Sequence, residues 1–288
     1  MALSYYGYEF TQFDLAPLLK GSEEDKHVSP EEIVTYVREM GLVARVRVNG
    51  QIETLQRLVA AGVPVIVEQW LDRPNHKLTG HYRLVRGYDR EAQAMIVNDS
   101  YSGPGLHLSY GEFDRLWRAF NRTYILVYPL EMESLVAAII GEDWDDQRMY
   151  LRAIEAAQAE VEDKGDLYAW FNLGSSYLGL GMYELALGVY ERAIALGLPP
   201  RMLWYQSGPL EALNRAHRYS RTLELTEPLL AIPGLEGIQY QRGLAYEGLG
   251  RKQEALAEYR LALRYNPRWE LVQQALGRLE VRDSEPSD

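Results

Sequence analysis

Apolar residues recur along the chain in two rhythms, and the change between them divides it. Across Ser29–Gly41, Ile33, Val37 and Met40 fall three and four apart, the spacing of one helical face. Ser29 predicts the N-cap, Pro30 the first helical position and Glu32 the reciprocal partner of a capping box. A second helix is predicted from about Gln51 to Ala61, with Ile52, Leu55, Leu58 and Val59 inward and Gly62 as the stop. The rhythm then shortens. Val63–Glu68 is a β-rich run; HYRLVRGY and AMIVND follow, separated by the polar turn DREAQ, and Thr123–Tyr128 is another. SYGEFDRLWRAF interrupts them as a short helix capped by Ser109, with Glu112 three residues on. Residues 1–130 therefore predict an α+β domain on an antiparallel sheet.

From about Gly141 the strand rhythm ends. Trp170, Leu173, Gly174 and Tyr177 are spaced W-x2-L-G-x2-Y, and Ala186, Tyr190, Ala193 and Pro199 follow. This is the tetratricopeptide (TPR) pattern, in which small residues let paired helices approach while large ones fill the gaps. A step of about 34 residues from Trp170 and Gly174 lands on Trp204 and Gly208, in a degenerate copy with Pro209. A third copy holds Gly243, Tyr246, Ala255, Tyr259, Ala262 and Pro267. An all-α TPR solenoid is expected over 141–281, capped by helices at Asp143–Glu162 and Trp269–Leu279. Residues 282–288 read as a solvated tail. By helix geometry Tyr168, Phe171, Ser175 and Leu178 face the groove of the repeats and are the candidate contacts for a protein or peptide partner. GLGLG, around Gly179 and Gly181, follows no strand and reads as an inter-helix turn rather than a phosphate loop.

Composition narrows the function classes. A net charge of −11 argues against a nucleic-acid partner, which needs a basic face. No apolar run approaches the ~18 residues of a membrane span, and no secretory signal precedes the first turn, so the compartment is not read. There is no cysteine, hence no disulfide, thiolate metal site or thiol nucleophile in these 288 residues. No cofactor is implied. A metal site would need His76 or His107 beside His81, at spacings that match no metal motif.

The chemistry concentrates in GHYRLVRGYDREAQAMIVNDSY. A hairpin centred on Arg90 pairs His81 with Asp99, Tyr82 with Asn98, Leu84 with Ile96 and Val85 with Met95. Opposed residues share a face, with β-carbons ~5 Å apart, so His81 and Asp99 form a His–carboxylate pair. A slip of one residue exchanges Asp99 for Asn98. Such a pair suits a general base, the carboxylate fixing the imidazole tautomer; equally, both residues suit the solvated ends of a hairpin. Trp70, Tyr82 and Trp117 offer a third reading, as the lining of a small-ligand pocket or simply as core.

Taken together, LSYYGYEF, SPEEIVTYVREMGL, AAGVPVIV, GHYRLVRGYD and IVNDSY resemble the C39-like peptidases, cysteine peptidases of papain-like fold, over about residues 1–128. The resemblance implies that His81 is the catalytic His and Asp99 the acidic member of the triad. Asp99 is followed by Ser100 where the family usually has Pro. The family's nucleophile lies in a Cys-Gly-Pro motif that starts the first helix, with an oxyanion-hole Gln just before it. MALSYYG matches the later part of that helix, so the Cys and Gln are expected immediately upstream of Met1. The resulting expectation is a C39-like domain, N-terminally incomplete, fused to a TPR protein-binding module and inactive as it stands. A signal segment upstream would place it outside the cytoplasm. The alternative is a pseudo-peptidase scaffold that only binds a partner. The first residues should be helical, their N-terminal end aimed toward His81 and Asp99.

Overall fold

The computed structural model describes residues 1–72 and 78–281. His76 and the 282–288 tail lie outside the described residues. The chain divides into two compact units: Met1–Phe13 with Ser29–Gly181, and Asp14–Val28 with Met182–Asp288. This differs from a division near 130–141, because two helices beyond that point group with the sheet and a short N-terminal segment groups with the repeats.

The chain begins with a single turn, α1 (Ala2–Tyr5), followed by α2 (Gln12–Leu19) and α3 (Pro30–Glu39). The start of the chain is helical, as expected. Ala2 and Leu3 are buried, and Gly7 ends the turn at φ +85°. The Tyr6 hydroxyl donates to Val127 O at 2.8 Å. α3 has the predicted capping box: Ser29 Oγ accepts from Glu32 N at 3.2 Å, and Glu32 Oε2 from Ser29 N at 2.7 Å. Its buried positions are Val34 and Val37, a face turned slightly from the Ile33–Val37–Met40 stripe.

β1 (Val43–Arg47), α4 (Ile52–Ala60), β2 (Val65–Leu71), β3 (Thr79–Asp89), β4 (Ala94–Asp99), β5 (Gly103–Ser109), α5 (Tyr110–Trp117), β6 (Tyr124–Tyr128) and α6 (Glu133–Ile140) follow. The six strands form one sheet in the order β1-β6-β2-β3-β4-β5, every pairing antiparallel. Two strands go beyond the sequence expectation. β5, GPGLHLS, is assigned no element from the sequence; it forms at the sheet edge, where its Gly and Pro are tolerated. The apolar pattern of β1 is interrupted by Arg45 and Arg47, whose charges are met by Glu133 and Asp146.

One face of the sheet supplies Val65, Val67, Val85, Met95, Val97, Tyr124, Leu126 and Tyr128 to the main core. Leu55 and Leu58 of α4, Phe113 and Trp117 of α5, and Val136 and Ile140 of α6 complete it. Strand alternation continues this face into Gln69, His81, Arg83 and Asp99. The unit ends with α7 (Asp146–Asp163) and α8 (Leu167–Gly179). Arg118 fastens both, its guanidinium meeting Glu160 at 2.6 Å and Asp166 at 2.8 Å.

In the second unit α9 (Tyr183–Ala195), α10 (Met202–Tyr205), α11 (Gly208–Arg215), α12 (Tyr219–Thr226), α13 (Glu236–Gly248), α14 (Lys252–Tyr265) and α15 (Glu270–Val281) follow one another. α13 and α14 pair as the pattern predicts: a Cβ on Gly243 would lie 2.3 Å from the Tyr259 ring, so only glycine admits that tyrosine. Val272, Ala275 and Leu279 of α15 cover the open side of α14. No helix among the described residues is long and apolar enough to cross a membrane.

Candidate active site

The β3–β4 hairpin brings His81 and Asp99 together in a register that differs from the expected one. Arg83 faces Asp99, Leu84 faces Asn98 and Val85 faces Val97; beyond a bulge at Arg86, Gly87 faces Ile96 and Tyr88 faces Met95. The expected pairs Leu84–Ile96, Val85–Met95 and His81–Asp99 are therefore not directly opposed. The turn is the cause. Asp89 Oδ1 accepts from Ala92 N at 2.9 Å and Gln93 adopts φ +49°, which moves the turn centre past Arg90. The turn shifts pairing by three residues and the bulge takes one back, so pairing slides by two at the open end; because side chains alternate with a period of two, Asp99 stays on the face of His81. His81 reaches it diagonally, with Nε2 to Asp99 Oδ1 at 3.0 Å. Asn98 turns to the other face and its Oδ1 accepts from Gly105 N at 3.1 Å, so it does not substitute for Asp99.

Asp99 is held on every side. Its Oδ1 also accepts from Tyr101 N at 2.7 Å and Ser102 N at 2.9 Å, the turn that starts β5, and Oδ2 accepts from Arg83 Nε at 2.8 Å. Burial alone would raise this carboxyl. The Ser102 and Tyr101 amides and the charge of His81 outweigh it and bring the pKa down to about 2. Arg83 is fixed in turn: its Nη1 donates to Gln69 Oε1 at 2.9 Å, and Gln69 Nε2 donates to the carbonyl of Phe113 at 2.9 Å. A chain of hydrogen bonds thus runs from α5 through Gln69 of β2, Arg83 of β3 and Asp99 of β4 to the imidazole. Side-chain exposure is 0% at Asp99, 6% at Arg83 and 15% at His81, so the chain reaches solvent at the group able to move a proton. With Nε2–H on the carboxylate, the neutral ring carries its lone pair on Nδ1.

Arg83 and Gln69 escaped the sequence reading, although the period of two marks them. Arg83 stands between His81 and Val85, and Gln69 continues Val65 and Val67: polar residues on an otherwise apolar face. On the reverse face, burial and nearby Glu31 push the Glu68 carboxyl well above its ordinary value, and burial beside Glu68 does the same to the Tyr82 phenol.

Residues 1–125 match the model of the Peptidase_C39 like family. This part of the chain is a C39-like peptidase domain. Residues 167–197 and 237–269 match the tetratricopeptide repeat. A solved structure described as a C39-like peptidase from Bacillus anthracis is 16% identical, with a TM-score of 0.35, covering 44% of this chain and 83% of that one. No curated protein matches the sequence.

Beside the C39-like domain the other candidates fare differently. Phe171 is wholly buried and so forms core rather than an accessible groove. Tyr168 accepts a hydrogen bond from Trp70 Nε1 at 3.1 Å, and the Ser175 hydroxyl is turned back onto Phe171 O at 3.1 Å. Leu178 is half-buried on the same helix. The cause lies in α8, which packs within the first unit, against α7 and Arg118. Trp70, Tyr82 and Trp117 do not line one pocket: Trp117 lies in the main core, while Trp70 meets Phe120 with ring centroids 4.8 Å apart and shares the reverse face with Tyr82. His107 is exposed on β5 opposite Ile96. No group of three metal-ligating side chains occurs among the described residues.

Proposed function

We propose that His81 and Asp99 are the base and the orienting acid of a cysteine-peptidase site, and that the TPR half carries a protein partner or the substrate. The observation behind this reading is the 3.0 Å contact between His81 Nε2 and the clamped, ionised Asp99. In peptide cleavage the thiol proton passes to His81 Nδ1 as sulfur attacks the carbonyl carbon. The imidazolium then protonates the leaving amine, and water releases the acyl group from sulfur. Asp99 holds the tautomer and stabilises the imidazolium. These 288 residues contain no thiol, and the pair alone leaves almost none of a triad's rate gain.

The chain by itself is therefore expected not to hydrolyse peptides. Hydrolysis by it that disappears in His81→Ala overturns this reading. A second reading, a pseudo-peptidase scaffold, rests on the absence of cysteine beside an interaction module. Reading the coding sequence upstream of Met1 separates the two: an in-frame Gln followed by Cys-Gly-Pro supports the peptidase, and a stop codon supports the scaffold.

A further inference from the structure

Within the second unit, the segment Asp14–Val28 lies against residues far along the chain. Lys26 N donates to Gly234 O at 3.1 Å, Arg268 Nη2 to Lys20 O at 2.6 Å, and Arg264 Nη2 to Glu24 Oε1 at 3.1 Å. The His27 ring stands edge-on to Tyr205 at 5.6 Å. Glycines allow the close fit on both sides: a Cβ on Gly21 would fall 2.4 Å from Asn266 Cα, and one on Gly234 would fall 1.8 Å from Glu24 O. Asp25, only 1% exposed, folds the stretch on itself by accepting from Gly21 N and His27 N, each at 2.9 Å. Apolar burial contributes little. α2 buries none of its residues, and Phe13 and Leu18 are 78% and 43% exposed. Main-chain hydrogen bonds, as in strand addition, and arginines set against acidic groups are among the means by which domains hold peptides.

We infer that the second unit carries a peptide-recognition seat made by Tyr205, Gly234, Arg264, Asn266 and Arg268, whose resident ligand is the chain's own Gly21–His27 stretch. The seat takes a short acidic peptide of that pattern when the resident leaves. This rests on the reading of the TPR half as a protein-binding module and is independent of the His81–Asp99 site. Tethering gives the resident an effective concentration on the order of millimolar, so a free competitor binds the unmodified chain weakly.

The test titrates a labelled synthetic peptide with the sequence of residues 14–28 into the full chain and reads fluorescence anisotropy. Gly21→Val with Asp25→Lys releases the resident without touching the seat, and is expected to tighten peptide binding at least tenfold. Adding Arg264→Glu and Arg268→Glu to that variant should abolish the gain. Equal affinity of the two chains, or no binding to the released variant, overturns the seat. Binding that ignores the two arginine changes also overturns it, while leaving the module reading intact. Hydrogen exchange on the unmodified chain needs no variant: saturating peptide should accelerate exchange at the Lys26 amide, and unchanged protection there refutes the exchange.

Discussion

Two buried arginines, one in each unit, teach by their difference. Arg83 in the sheet and Arg242 in α13 are about equally inaccessible, at 5% and 4% exposed. Arg242 donates to Glu258 at 2.7 Å, Thr226 Oγ1 at 2.9 Å and Tyr246 Oη at 3.1 Å, tying together three helices. Arg83 makes a similar set of bonds but spends its strongest on Asp99, which also holds an imidazole at the surface. The first cluster locks a fold. The second holds an imidazole in place, because its chain of bonds ends on a ring that meets solvent.

The largest expected effect lies in Asp99→Ala, which leaves Arg83 buried without its counter-charge. Roughly 3–5 kcal/mol of first-unit stability should be lost. Arg242→Met should cost the second unit less, about 1–3 kcal/mol, since Glu258 is partly exposed and rehydrates. Denaturant unfolding of both variants checks the ranking, and equal losses would erase the contrast. An acid titration comes next. Asp99 has a lower pKa folded, about 2, than unfolded, about 3.8, so its contribution is fully present above pH 3.8 and is lost as pH falls through 2. The span is on the order of 2 kcal/mol, and Asp99→Asn should flatten this limb of the stability curve. An effect of the same size as that of Arg242→Met is expected at Gly243→Ala, where the new methyl must displace the Tyr259 ring. About 1–3 kcal/mol, measured as a lower unfolding midpoint, should be lost from the second unit alone.

Much of this was legible because it depends on short-range pattern. The Ser29 and Ser109 caps, the β3–β4 hairpin and the repeat glycines are written in neighbouring residues. The face shared by His81 and Asp99 survived a wrong register, since a slide of two residues preserves parity. What escaped depended on partners far along the chain. Phe171 fits a repeat's groove by helix geometry, yet Arg118 and α7 draw its helix into the first unit. The repeat pattern specifies the helix but not which neighbour claims its outer face. Arg83 and Gln69 become visible as a pair only once β2 is set beside β3.

The discontinuity of the second unit bears on how the chain is made. Glu24 meets Arg264 across 240 residues of sequence. At roughly 5–20 residues per second, the stretch from Asp14 to Val28 leaves the ribosome some tens of seconds before its docking surface exists. The sheet and its helices, complete by Gly181, can fold during that interval with this stretch still unsatisfied. A nascent-chain binding factor has its opportunity there, and a shortened protein ending near Gly181 would keep it open permanently.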